Sequence, residues 1–373
     1  MDRHAPHIAL GRLEVAFSGQ DFIAGAALEE IAHHGRDRAR CTGRLEVRFG
    51  AAARPGPGAV RIDRFQVGPE AVRVDDPLLP HSLRWDGPRL EVGVETAPGY
   101  WTHPLVAPAV RLVDQSFDDA ARRLAKRFYY TIFDQAVQLA QLPLGQSWLH
   151  ASAVTDGDRT VVFMAGGGVG KTAALLSMLG TGAWRFLSDD LCPLDSTGTV
   201  YRSPHRAQVF AANVPGREAL RNRLLAGRSV LDRAHWAARR RVLGEPNVRR
   251  RVHAEELFGA DAVAVSGRVT DAVYLQRTTG PDVTVDVATP RDLARLGAAV
   301  LETELDPLHE WLAAVHAAAP SSDWPTNATA SSDAAAVIEA GLTAARSRCV
   351  VVGVPVACGP DDLLRCVQER VLP

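Results

Sequence analysis

The sequence predicts an α/β protein in which a larger α/β domain, residues 144–373, follows a smaller β-rich or α+β domain, residues 1–143. Two local patterns support this division: short alternating apolar stretches fill the first region, whereas the second contains a glycine-rich turn between an apolar strand and an apolar-periodic helix. The chain has 373 residues and is 46% apolar, which is enough for two domains or for one large domain with an appendage.

The first region contains several candidate strands and ends in a helix. The strands are "GRLEVAF", "GRLEVRF", "VRIDRFQV", "LRW" and "LEVGVE", with turn signals such as "RPGPG" between them. A helical pattern from about 116 to 142 then connects this region to the next.

The second region begins with a strand-turn-helix-strand unit. We predict strands at "SWLHASAV" and "RTVVFMAG", a helix at "GKTAALLSMLG" that ends near Gly180 or Gly182, and a strand at "WRFLSDD". Further along the chain we predict strands at "AVYLQR", "VTVDVA" and "RCVVVGVPV", helices at about 290–302, 307–318 and 333–345 and at "PDDLLRCVQERV", and a loop at "AAAPSSDWPTNATASSDA".

Composition excludes several classes of protein. The apolar run "CVVVGVPVAC" is far shorter than the ~20 residues of a membrane helix, and residues 1–20 have no signal-peptide pattern. We therefore expect a cytoplasmic protein that does not act at a membrane. The five cysteines contain no C-x-x-C pair and no cluster at zinc-ligand spacing, so neither a disulfide framework nor a structural metal is expected.

The stretch "AGGGVGKT", residues 165–172, has the pattern of a phosphate-binding loop. Such a loop needs glycines that accept a positive φ and let backbone amides approach a phosphate at the start of a helix. The lysine then contacts the β and γ phosphates, and the threonine hydroxyl contacts Mg²⁺. The sequence thus predicts a site for ATP, or another nucleoside triphosphate, with Mg²⁺. Its expected residues are Gly166, Gly167, Gly168, Val169, Gly170, Lys171, Thr172 and Ala173.

Lysine usage singles out the same loop. Only Lys126 and Lys171 are lysines among 42 basic residues. A broad, planar guanidinium cannot replace a compact ammonium inside a tight ring of backbone amides. Lys171 stands at the one place where this argument requires a lysine.

Asp189 and Asp190 follow eighteen residues after Lys171, at the end of the predicted return strand. That strand should end on the same sheet edge as the loop, where open α/β sheets bind ligands. One carboxylate can hold Mg²⁺ with Thr172, and the other can accept a proton from an attacking hydroxyl. In most P-loop motors the metal-associated acid lies much further along the chain, so the short spacing argues against a motor.

Residues 217–253 are strongly basic, with eleven arginines against three acidic residues in a chain of net charge −1. Such a stretch can be a solvated helix face or an anion-binding wall. By charge and position, Arg249, Arg250 and Arg251 are candidates to clamp the transferred phosphoryl group or an acidic substrate. With one aromatic residue and no nucleic-acid-binding motif, the stretch does not favour a nucleic-acid partner.

Three segments together resemble the catalytic domain of the HPr kinase/phosphorylase superfamily, whose nucleotide site is similar to that of phosphoenolpyruvate carboxykinase. They are "LHASAV" with His150, the loop "AGGGVGKT", and "LSDDLCPLD". The similarity is dense over residues 148–195 and extends most closely to HPr-kinase-related proteins of peptide natural-product pathways, lasso-peptide pathways among them. It implies a P-loop kinase fold, base and metal functions for Asp189 and Asp190, with Asp189 favoured as the base, and a role for His150 in orienting an acid or contacting phosphate. A histidine satisfied at a strand end is the alternative for His150.

The resemblance and the site residues predict an ATP- and Mg²⁺-dependent kinase that acts on a hydroxyl of a peptide (Ser or Thr) or small molecule, which can carry acidic groups, in a biosynthetic pathway. No segment resembles the "EIRGLGI"-type signature of true HPr kinases, so HPr is not the expected acceptor. The main alternative is a nucleotide-binding regulatory or scaffold protein without phosphotransfer, and a third is a nucleotidyl or decarboxylating reaction. Either a monomer or an oligomer is compatible with the sequence.

Overall fold

The structure is a computed structural model of the chain. It describes residues 6–35, 40–69, 71–86, 89–97, 99, 102–103, 105–214, 216–359, 362–363, 365 and 369–370. Over these residues the chain is a mixed α/β protein that forms two compact units. The first unit comprises Met1–Asp114, Asp118–Ser147 and Glu302–Ala334, and the second comprises Gln115–Phe117, Trp148–Leu301 and Ala335–Pro373.

An eight-stranded mixed sheet is the centre of the described part of the first unit, in the order β1-β2-β3-β8-β7-β6-β5-β4. Strand β3 runs parallel to both of its neighbours, β2 and β8, and the other pairs are antiparallel. Buried and partly exposed residues alternate along β2, as expected for a sheet with one face against a core. The strands are β1 (His7–Leu10), β2 (Leu13–Gly19), β3 (Gly43–Phe49), β4 (Val60–Ile62), β5 (Phe65–Val67), β6 (Ala71–Val74), β7 (His81–Asp86) and β8 (Arg89–Val94).

Helices α1 (Ala24–Glu30), α2 (Ala120–Phe128) and α3 (Asp134–Gln141) belong to the same unit. The helix predicted over 116–142 is therefore interrupted: a π-helical turn, Tyr129–Phe133, separates α2 from α3. The Gln135 side-chain amide donates to the carbonyl oxygen of Tyr130 at 2.9 Å inside this widened turn. Hydrophobic periodicity does not reveal such a turn, because it shifts the register without changing the apolar composition.

The described part of the second unit is built on a nine-stranded mixed sheet, in the order β16-β13-β12-β9-β10-β17-β19-β18, with β11 paired to β9. Strands β10, β17 and β19 are parallel, and both β9 and β10 are buried along their whole length. A separate pair, β14 and β15, is antiparallel. The strands are β9 (Gln146–Thr155), β10 (Thr160–Met164), β11 (Arg185–Ser188), β12 (Leu191–Asp195), β13 (Thr199–Tyr201), β14 (Ala207–Phe210), β15 (Arg249–Val252), β16 (Ser266–Arg268), β17 (Asp271–Thr278), β18 (Thr284–Val287) and β19 (Arg348–Pro355).

The helices after β10 are α4 (Lys171–Gly180), α5 (Glu218–Leu225), α6 (Val230–Leu243), α7 (Ala254–Phe258), α8 (Pro290–Glu304), α9 (Asp306–Ala318) and α10 (Asn327–Ala345). Helix α4 packs on β10 and contributes Leu175, Leu176 and Met178 to the buried core of this unit. The predicted strand-turn-helix-strand unit is confirmed as β10, α4 and β11.

The segment Glu302–Ala334 groups with the first unit, whereas the sequence-based boundary at 143/144 assigned it to the second. Within the first unit, the backbone N–H of Leu308 in α9 donates to the buried Gln135 side chain at 3.2 Å. The Trp311 ring lies 5.5 Å from that of His81 on β7, measured between centroids. These contacts join residues far apart in sequence, which local patterns cannot predict.

Two further differences concern the carboxyl-terminal third. The loop predicted over 317–334 is helical from Asn327, because the Thr326 hydroxyl accepts the backbone N–H of Thr329 at 3.1 Å and caps α10. The helix predicted at "PDDLLRCVQERV" lies largely outside the described residues. No helix in the described ranges is both long and apolar enough to cross a membrane.

Candidate nucleotide and phosphoryl-transfer site

The glycine-rich loop leads from β10 to α4, as its pattern predicts. Gly168 has a φ of +73° and Gly170 a φ of +126°, which are backbone angles that residues other than glycine rarely adopt. Apart from each glycine and its two chain neighbours, no residue has a heavy atom within 4 Å of the position that a Cβ would occupy at Gly166, Gly167 or Gly168. The loop surface is therefore open at these three positions, as the backbone approach of a phosphate requires.

Lys171 is the first residue of α4, and its ammonium group is buried beneath the loop. The Nζ atom donates to the carbonyl oxygens of Ala165 at 2.9 Å and Gly166 at 3.1 Å. It also lies 3.2 Å from Nε2 of His150 on β9. Val169 and Ala173 are buried, so they can offer a ligand only their backbone groups.

The acid pair follows directly after β11, with Asp189 and Asp190 at the turn into β12. The backbone N–H of Ala151 on β9 donates to the carbonyl oxygen of Asp190 at 2.8 Å. This bond holds the turn against the strand that carries His150. The acid pair therefore lies beside β9, at the end of the return strand β11.

Asp189 is buried among three hydrogen-bond donors. Its Oδ1 accepts from the Ser152 hydroxyl at 3.1 Å, its Oδ2 accepts from the backbone N–H of Gln208 at 2.8 Å, and the Thr172 side chain also bonds to it. Burial raises the pKa of Asp189 to about 7, with a further contribution from the charge of Asp190, although the three hydrogen bonds oppose the shift. A carboxyl group in this range can exchange a proton at neutral pH.

The surroundings of Asp190 shift its pKa in the opposite direction. Its Oδ1 lies 3.3 Å from Nε2 of His150, and its Oδ2 accepts from the side-chain amide of Gln208 at 2.8 Å. Burial alone would raise the pKa of Asp190, but the hydrogen bond and charge of His150 and the charges of His205 and Lys171 lower it to about 2. Asp190 therefore stays ionised where Asp189 can be protonated, and neighbouring carboxyls with separated pKa values suit different roles.

The arginine run of β15 divides between the two faces of its strand. Arg249 is half-buried, and its Nη1 donates to the Gln208 side-chain oxygen at 2.6 Å. The Gln208 side chain thus connects Arg249 to Asp190. Arg250 is ion-paired with Asp232 of α6, and its guanidinium lies 4.8 Å from the centroid of the Trp236 ring. The structure thus brings Arg249 to the acid pair and gives Arg250 a structural role in holding α6.

Arg251 is buried on β15, and its Cα is paired with that of Gln208. Arg249 is connected to the Asp190 carboxylate through the Gln208 side chain.

Sequence reasoning missed Ser152 and Gln208. Ser152 lies two residues after His150 on β9, so the strand period of two places both side chains on one face, and this signal was available. Gln208 stands in "SPHRAQVF", where no motif marks it. Its role depends on β14 returning to the acid pair, which is a tertiary contact.

Hard oxygen donors lie near Thr172 at the start of α4. The Thr172 hydroxyl and the two carboxylates are the type of ligand that Mg²⁺ prefers, and the open glycine surface with a buried ammonium suits a phosphate chain. The donor set therefore fits Mg²⁺ and a nucleotide.

No protein-family model matches this sequence, and no curated protein matches it. Among solved structures, the chain is similar to the HPr(Ser) kinase/phosphatase from Coxiella burnetii, with 14% sequence identity and a TM-score of 0.23. The match covers 38% of this chain and 78% of that one. Similarity at this level supports no conclusion about activity, so the function is inferred from the site itself.

Proposed function

We propose that the second unit is a kinase that transfers the γ-phosphoryl group of ATP to a hydroxyl group. The observation that carries this proposal is the connection between the acid pair and the phosphate loop. Asp189 bonds to Thr172, and Asp190 lies 3.3 Å from His150, which in turn lies 3.2 Å from the Lys171 ammonium. A site that only binds a nucleotide needs the loop and its lysine, but not a proton-accepting carboxylate beside them.

In the proposed reaction, Lys171 and the amides of the glycine loop hold the phosphates, and Arg249 contacts the transferred group. The acceptor oxygen forms a bond to the γ-phosphorus while the bond from phosphorus to the β–γ bridging oxygen breaks. The acceptor proton passes to Asp189, and the products are a phosphate ester and ADP. Mg²⁺, when bound, neutralises charge on the phosphates.

Asp190 is assigned to the metal with Thr172, and Asp189 to the base, because the pKa of Asp189 is raised to about 7 and that of Asp190 is lowered to about 2. The hydrogen bond from Thr172 to Asp189 supports the reverse assignment. The variants Asp189→Asn and Asp190→Asn distinguish the two assignments. If Asp190 is the metal-associated acid, Asp190→Asn weakens the Mg²⁺ dependence of nucleotide binding and Asp189→Asn leaves it intact.

The acceptor class rests on the resemblance of residues 148–195 to HPr-kinase-related proteins. We propose a Ser or Thr hydroxyl of a peptide, or a hydroxyl of a small molecule, in a natural-product pathway. The basic surroundings of Arg249 are compatible with acidic groups on that acceptor.

The test is ATP-dependent gain of a phosphate mass on candidate peptides, sugars and amino acids. Lys171→Ala, Asp189→Asn and Asp190→Asn should each abolish the gain. The matched controls are Lys126→Ala, which removes the other lysine, and Asp282→Asn, which removes an exposed carboxylate of the same unit. Undiminished transfer in the three site variants refutes the assignment. If the wild-type protein binds ATP but neither transfers phosphate nor produces ADP, the nucleotide-binding regulatory or scaffold alternative holds instead.

A further inference from the structure

Gln208 on β14 contacts three groups of the site at once. Its backbone N–H donates to Asp189 at 2.8 Å, and its side-chain Nε2 donates to Asp190 at 2.8 Å. Its side-chain oxygen accepts from Nη1 of Arg249 at 2.6 Å. The residue is buried, so water cannot easily replace these bonds.

The orientation of the Gln208 amide is fixed by its partners. An ionised carboxylate such as Asp190 can only accept hydrogen bonds, and a guanidinium can only donate them. The nitrogen must therefore face Asp190 and the oxygen must face Arg249. The antiparallel register of β14 and β15 pairs Gln208 with Arg251, which makes Arg249 its diagonal neighbour across the strands.

The amide separates two opposite charges. A guanidinium and a carboxylate within reach of each other form a direct, often bidentate, ion pair, and that pair would occupy both groups. With Gln208 between them, Arg249 bonds to a neutral oxygen and keeps its charge beside the acid pair, while Asp190 keeps its contact with His150.

We propose that Gln208 is a positioning residue that keeps the Arg249 guanidinium and the Asp190 carboxylate at a fixed separation. Arg249 can then contact the transferred phosphoryl group, and Asp190 can contact the metal. This inference rests on the proposed function for the roles of the two partners. The two side-chain hydrogen bonds that set the spacing are independent of that function.

The experiment uses Gln208→Met in the full-length protein, which keeps the side-chain length and removes both side-chain hydrogen bonds. The bond to Asp189 comes from the backbone and persists in every variant, so Asp189 serves as an internal control. A crystal structure of this variant should show a direct contact between the Arg249 guanidinium and the Asp190 carboxylate. Retention of the wild-type separation overturns the proposal.

Kinetics give a second readout. Phosphate release from ATP, with water as acceptor, should fall about 10- to 100-fold in Gln208→Met, the effect of losing a hydrogen bond to a charged group. The dissociation constant for the Mg²⁺ complex of a non-hydrolysable ATP analogue should change less than about twofold, because the contacts that hold the nucleotide before the reaction are retained. Gln276→Met, an exposed glutamine on β17, is the matched control and should match the wild type in both assays.

The double variant Gln208→Met with Arg249→Met separates positioning from general destabilisation. If Gln208 acts through Arg249, the double variant releases phosphate no more slowly than the slower of the two single variants. If the rate reductions of the single variants multiply in the double variant, the proposal is overturned. The failure of the proposed function is distinguishable, since it appears as no phosphate release from the wild type or as unchanged release in Lys171→Ala. The structure of Gln208→Met still decides the spacing in that case.

Discussion

Asp189→Asn should gain stability relative to the wild type as the pH rises, while it removes the proposed activity. Burial raises the pKa of Asp189 from 3.8 to about 7, so the folded protein binds this proton more tightly than the unfolded chain does. The contribution of the group to stability is therefore greatest below pH 3.8 and is lost as the pH rises through 7. At 1.36 kcal/mol per pKa unit, the raised pKa of Asp189 lowers the free energy of unfolding, relative to its value at low pH, by about 4 kcal/mol at pH 8 and about 2 kcal/mol at pH 5.

Asparagine cannot ionise, so it avoids this cost but weakens the hydrogen bonds from Ser152, Gln208 and Thr172. That loss is nearly independent of pH. The stability difference between Asp189→Asn and the wild type should therefore grow by about 2 to 3 kcal/mol, in favour of the variant, between pH 5 and pH 8.

The assay is urea unfolding at both pH values, with a chelator present so that no divalent cation compensates the charge. Asp282→Asn, at an exposed position, is the control and should show no such change. An equal stability difference at the two pH values would falsify the ascribed ionisation cost.

The remaining predictions concern the loop and the first unit. Gly170→Ala should destabilise the second unit by about 1 to 3 kcal/mol in thermal unfolding, because φ is +126° and the new Cβ would lie 2.9 Å from Cδ2 of Leu363. If Leu363→Ala restores none of this loss, the contact is irrelevant and the backbone strain accounts for the whole effect. Burial lowers the pKa of His81 from 6.5 to about 4, so its contribution to stability is complete above pH 6.5 and is lost as the pH falls through 4. Urea unfolding should show about 2 kcal/mol of loss between pH 7 and pH 5 that His81→Gln lacks; identical pH slopes would contradict this origin.

Local patterns predicted the strand, turn and helix of the second unit because these features are contiguous in sequence. The loop "AGGGVGKT" and the acid pair are each continuous in sequence and adjoin regular elements with clear apolar patterns. The pattern of a strand, a turn and a helix therefore predicted the position of the loop and the position of the acid pair at the end of the next strand.

The features that sequence reasoning missed depend on contacts between distant segments. Gln208 reaches the carboxylates because β14 returns to the end of β11, and α9 joins the first unit through contacts with Gln135 and His81. The separate roles of Arg249 and Arg250 also required the partners supplied by Gln208 and Asp232. Charge counting alone treats these arginines as equivalent.

The strand pair β14 and β15 links the acid pair to helix α6. Four residue pairs join the two strands, and the arginine-rich chain between them leaves after Phe210 and returns at Arg249. Within that chain, Asp232 of α6 is ion-paired with Arg250, the residue after Arg249 on β15. A change that displaces α6 should therefore also shift Arg249 and its hydrogen bond to Gln208.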